Sequence, residues 1–180
     1  MAEQKKRSFR KEYLNDFQRD AGGRYVYMGP HIVYSDKNRS WVMENVILWI
    51  CVVLPAAMLI VLGLMPDSGL AGNALIMAPY ALSFLALFIV IWKLVRFSGA
   101  GTRMRKYVYE QTAEIFPVYA FIAAGLGAAG VICMIITLCL GTFSGSVVSM
   151  VLYFIMGVVL AAGGTVMAVR IRRLKWENEF

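Results

Sequence analysis

The sequence predicts an all-α integral membrane protein: a bundle of four transmembrane helices with short amphipathic segments on its cytoplasmic side. Three observations predict it. First, 59% of the 180 residues are hydrophobic and only 16% charged, against roughly 45–50% and about 25% in soluble domains. A soluble chain of this size could not bury that much apolar surface. Second, the apolar residues fall in four runs, each near the ~20 residues that cross a hydrocarbon core. Third, all 18 Lys and Arg residues lie in three blocks, Lys5–Arg39, Lys93–Lys106 and Arg170–Lys175. Basic residues next to spanning helices stay on the cytoplasmic side. Both termini and the middle segment are therefore expected inside, with two uncharged or acidic tips, 65–73 and 141–146, outside.

Residues 1–40 form the first cytoplasmic segment. Phe9, Tyr13 and Phe17 recur every four residues, with Leu14 widening the lane and Gly22–Gly23 as a stop. This spacing predicts an amphipathic helix over Gln4–Asp20. Arg10, Lys11 and Arg19 would meet lipid phosphates, or the helix would pack on the protein's own inner face. Residues 24–34 read RYVYMGPHIVY. Two β-prone runs flank Gly29–Pro30, which predicts a hairpin, with a continuous extended segment as the competing reading.

The first span is 41–64. Trp41 suits the headgroup level, Glu44 and Asn45 lie shallow enough to stay wet, and Pro55 should kink the helix. The second span is 74–97, with Pro79 early and Lys93 and Arg96 at an inner end from which they can snorkel outward. In the loop 98–114, Ser98–Gly101 breaks the helix. Met104, Tyr107, Val108 and Gln111 then share a face that continues to Ile115, which predicts an interfacial helix. Arg103, Arg105 and Lys106 supply its charge. The third span is 115–140, where Pro117 is either a first-turn proline or a bend. The fourth is 147–169, followed by a basic tail, 170–180, with Arg170, Arg172, Arg173 and Lys175.

Spans three and four carry lanes of small residues: Ala120, Ala124 and Ala128, beside Ala123 and Gly127, and in the last span Gly157, Ala161, Gly164 and Ala168. Small lanes let helix backbones approach closely. These two spans are expected to form the tightest pair, with a homo-oligomer contact through the same lane as the alternative.

The net charge of +7 reads as orientation and contact with anionic headgroups, worth about 1 kcal/mol per basic residue near the surface, and not as nucleic-acid binding. Cys51, Cys133 and Cys139 lie in apolar runs and read as small hydrophobes. The sequence has no phosphate-binding glycine loop, no zinc spacing and one histidine, His31, so no cofactor or metal is expected. The sequon Asn38–Ser40 faces the cytoplasm by this topology and reads as a chance match. The centre of every span is free of Asp, Glu, His, Lys and Arg, which disfavours an ion-coupled carrier. The expected function is a non-enzymatic accessory or interaction subunit of a larger membrane complex, in an inner or plasma membrane. The alternative is a small oligomeric transport or channel component. A lipid-directed enzyme would need Glu44, Asn45, His31 or Glu114 to converge.

Overall fold

A computed structural model describes residues 17–20, 22–36, 39–66, 68–70 and 72–179. Arg10, Lys11, Asn38 and most of the Gln4–Asp20 segment lie outside the described residues.

Four long helices dominate: α1 (Trp41–Leu64), α2 (Ala74–Ala100), α4 (Phe116–Cys139) and α5 (Val147–Arg173). A single turn, α3 (Lys106–Tyr109), and a π-helical turn, Glu110–Glu114, lead into α4. Each of the four is long and apolar enough to cross a membrane, with mean hydropathy from 2.2 to 2.8. Successive helices run antiparallel and close into a ring, α1 on α2, α2 on α4, α4 on α5 and α5 on α1. The interior holds Val52, Leu62, Val90, Leu94, Phe97, Phe116, Met134, Leu160 and Met167, all fully buried. The outside is equally apolar: Ile50, Val53, Phe84, Leu85, Phe88, Ile132 and Val158 are exposed. A helix that is hydrophobic all round suits lipid outside and packing inside.

The links at the far end pack on each other. Gly69 has φ +69°, and a Cβ there would lie 2.7 Å from the Gly145 nitrogen. Only glycine meets both conditions at no steric cost. Asn73 caps α2 by accepting from the Leu75 N–H, and its Nδ2 donates to Thr142 Oγ1 across the two links, at 3.3 Å.

Two prolines sit where neighbouring helices accommodate them. Pro55 removes the donor that would serve the Cys51 carbonyl, yet α1 is continuous through it. Gly163 of α5 lies so close that a Cβ there would be 3.0 Å from the Cys51 oxygen. Pro117 occupies the first turn of α4, directly after the π turn that widens the chain before it.

The other end of the bundle carries five short strands. β1 (Phe17–Arg19) pairs antiparallel with β2 (Tyr25–Tyr27). β3 (His31–Tyr34) is the middle of a three-stranded antiparallel sheet, between β4 (Arg103–Arg105) and β5 (Trp176–Glu179). Four expectations change here. Phe17–Arg19 is strand, so the predicted amphipathic helix does not extend to Asp20. The two runs beside Gly29–Pro30 do not pair with each other, because Tyr25–Tyr27 pairs back on Phe17–Arg19 while His31–Tyr34 pairs with two strands distant in sequence. An isolated hairpin would be marginal, whereas β3 gains two neighbours and a buried face. The middle segment is not one interfacial helix: Met104 is buried on a strand, while Gln111 and Ile115 are exposed. The tail is not free either, since α5 continues to Arg173 and residues 176–179 join the sheet.

Candidate functional site

The sheet brings three chain segments, far apart in sequence, to one end of the bundle. Strand alternation sorts their side chains. Ile32, Met104, Tyr34 and Trp176 turn toward the helices. On the opposite face, Arg105 and Glu179 flank His31 in register, and Arg103 and Glu177 flank Val33. The outward face is thus basic along β4 and acidic along β5. Arg103 Nε reaches Glu179 Oε2 across it at 2.8 Å. Both partners are at least half exposed, so this pair adds little stability. His31 meets the edge of Tyr27 at 5.5 Å, and Arg105 lies 5.4 Å from the same ring. An open cleft of about 480 Å³ lies beside them, lined by Tyr27, Met28, Gly29, Pro30, His31, Arg103 and Glu179.

Beneath the sheet is an aromatic box. Trp176 stands 5.5 Å from Tyr109, 5.6 Å from Tyr34 and Trp41, and 6.2 Å from Phe97. Edge-on pairs of this kind contribute about 0.5–1.5 kcal/mol each beyond their buried area. The indole N–H of Trp176 is buried and has no hydrogen-bond partner among the described residues. Tyr34 donates to the Arg39 carbonyl at 3.1 Å. Burial first, then the negative charges of Asp36 and Glu44, push its phenol above the ordinary value of 10.0, against an opposing pull from Arg39. The hydroxyl is therefore held as a donor throughout the neutral range.

An ion pair joins α1 to α5 at this end of the bundle. Glu44, in the first turn of α1, is only 5% exposed. Arg170 Nη1, in the last turn of α5, contacts both its oxygens at 3.0 Å. Arg39 approaches at 3.7 Å. The charges suit the helix ends they occupy, an anion at an N-terminus and a cation at a C-terminus. The expectation that Glu44 stays wet is thus corrected: an antiparallel neighbour brings an arginine over it and excludes water. Asn45 sits one residue on in a separate chain of bonds, Trp49 Nε1 to Ser98 Oγ at 3.1 Å and Ser98 Oγ to Asn45 Oδ1 at 2.8 Å. Glu114 is exposed on the π turn. Glu44, Asn45, His31 and Glu114 therefore have four distinct sets of neighbours.

The small lanes lie where α4 meets α5, the most extensive helix pair. A Cβ on Gly127 would fall 2.7 Å from the Gly157 oxygen and 2.8 Å from the Ala161 nitrogen. One on Gly164 would fall 2.6 Å from the Ala120 oxygen and 2.9 Å from the Ala124 nitrogen. Ala120, Ala123 and Ala168 are fully buried. Ala128 is exposed and outside the seam. The lane through Gly157 and Ala161 is filled by α4 of the same chain, so enlarging either residue reports on folding and not on an oligomer.

Other described basic residues lie at this end. Arg19 is exposed over the Tyr25 ring at 5.2 Å, and Arg172 over the Phe121 ring at 5.0 Å. Lys106, Arg173 and Lys175 are exposed. The Glu44–Arg170 pair and the sheet were not anticipated from sequence. Their signals are nonetheless present: Glu44 is the one acid within the first apolar run, and RMR and WENE alternate with a period of two.

Four apolar antiparallel helices define a multi-pass all-α membrane protein, capped at one end by small sheets. Comparisons with protein-family models, curated proteins and solved structures found no match to the chain.

Proposed function

We propose that this chain is an accessory or interaction subunit of a larger membrane complex, and that its sheet-capped basic end is the docking surface. One observation supports this most: the outward face of the three-stranded sheet, with Arg103 and Arg105 along one edge and Glu177 and Glu179 along the other. Arg103 and Glu179 are paired across this face, and the charges of Arg105 and Glu177 on its two edges are what a partner would match by complementarity, which selects and orients it on approach. The aromatic box beneath it holds that surface to the helices, so little ordering entropy remains to oppose binding.

The test uses the full chain in its native membrane, with photo-crosslinkers placed in turn at Arg103, Glu177 and Ser144. A discrete protein adduct is expected from the two sheet positions and none from the far tip. No adduct at either sheet position would remove the docking reading.

The same proposal places the basic end in the cytoplasm of an inner or plasma membrane. In support, Arg39, Arg103, Lys106 and Arg173 gather at one end of the bundle, while links 65–73 and 140–146 hold no Lys or Arg. That asymmetry matches the positive-inside rule. In a background lacking the native cysteines, an impermeant thiol reagent added outside should label Ser68→Cys and Ser144→Cys but not Arg103→Cys. Labelling of the last would reverse the orientation.

A further inference from the structure

The π turn before α4 has a consequence at the flank of the bundle. Pro117 carries no N–H, and its ring crowds the carbonyl four residues back. The chain widens into the π turn Glu110–Glu114 just before it. At the end of that turn the Ile115 N–H bonds to the Thr112 oxygen. In a regular α-helix it would bond to Gln111. The Gln111 oxygen accepts a bond from Lys93 of α2, whose Nζ donates to it at 2.8 Å. The ammonium also lies 5.5 Å from the centre of the Tyr119 ring. A lysine that would otherwise snorkel freely is thereby fixed at one place on the membrane flank.

Only one of its three ammonium donors is used in this bond. Arg96, one turn further along α2, is exposed. Neither cation forms an ion pair among the described residues, and Glu110 and Glu114 on the adjacent turn pair with neither. Both charges lie toward the sheet-capped end of α2, Lys93 about 10 Å and Arg96 about 6 Å along the axis from Ala100. Phe88 and Trp92, on the exposed lane leading deeper along α2, are 65% and 59% exposed. They offer an apolar track for acyl chains directly below the charges.

We propose that Lys93 and Arg96 form a seat for the phosphate of an anionic phospholipid, with its chains lying along Phe88 and Trp92. The apolar track is what commits the site to a lipid and not to a free phosphate ion. The seat is separate from the docking face and does not depend on it.

Native mass spectrometry of the full chain, titrated with phosphatidylglycerol, phosphatidylcholine and inorganic phosphate, tests this. One phosphatidylglycerol should be retained in preference to phosphatidylcholine, with no competition from inorganic phosphate. Arg96→Gln keeps the Lys93–Gln111 bond and should weaken retention about tenfold, the loss of one charge-assisted contact. Lys93→Met with Arg96→Gln should abolish it. Arg172→Gln with Arg173→Gln, at the same end but off the seat, should leave it unchanged. Wild-type retention in Arg96→Gln, equal loss in the Arg172/Arg173 variant, or displacement by inorganic phosphate would each overturn the proposal.

Discussion

Gly164→Val is expected to separate α4 from α5 and to give the largest loss of stability of any single change in the chain. The first added carbon alone would lie 2.6 Å from the Ala120 oxygen and 2.9 Å from the Ala124 nitrogen. Those are backbone atoms, which cannot rotate away. Overpacking typically costs about 1–3 kcal/mol and more where neighbours cannot yield, and the two further methyl groups of valine add to it. Gly125 supplies the control. It lies on α4, but an added methyl group there would meet nothing within 4 Å, so Gly125→Ala should be neutral or stabilising by up to about 1 kcal/mol. Unfolding in mixed micelles, followed by circular dichroism, distinguishes the two. A Gly164→Val protein as stable as the wild type would mean that the seam does not hold the bundle together.

The second large effect is expected from Arg170→Met. It leaves the Glu44 carboxylate buried with only Arg39, at 3.7 Å, for compensation. Removing one partner of a buried pair costs about 3–5 kcal/mol. The lower end applies here, because the Arg170 side chain is 36% exposed and water screens it in part. Glu44→Gln should cost less, about 1–2 kcal/mol, since the amide still accepts a bond and the arginine left behind can reach solvent. The double variant Arg170→Met with Glu44→Leu should recover most of the loss, as apolar replacements of buried pairs commonly do. A double-mutant cycle isolates the coupling. A cycle with no coupling would reduce the pair to a surface contact.

The two variants probe features that are unequally readable from sequence. The small lanes at Ala120, Ala124, Gly127, Gly157 and Gly164 are visible because helix periodicity is local. Ala128 is misplaced for the same reason. A four-residue step turns about 40° too far on a 3.6-residue helix, so the third member of a lane leaves the seam that the first two occupy. The Glu44–Arg170 pair joins residues 126 positions apart, and no periodicity connects them. The same holds for the sheet. His31–Tyr34 has the pattern of half a local hairpin, yet its partners come from the middle loop and the tail. A strand takes whichever partners bury its apolar face, and here that face is Ile32 against Met104, with Tyr34 against Trp176 below it.

Composition and patterning by themselves determined the membrane class, the four spans and the gathering of basic charge into three blocks. Each of these depends on summed hydrophobicity or on short-range spacing. Only the tertiary structure decided what those blocks are for within the fold. It drew strands from the first two and from the residues just after the third to one end, buried Glu44 under Arg170, and tied Lys93 to the Gln111 carbonyl on the π turn. These are contacts between distant segments, settled by which groups must be paired once water is excluded.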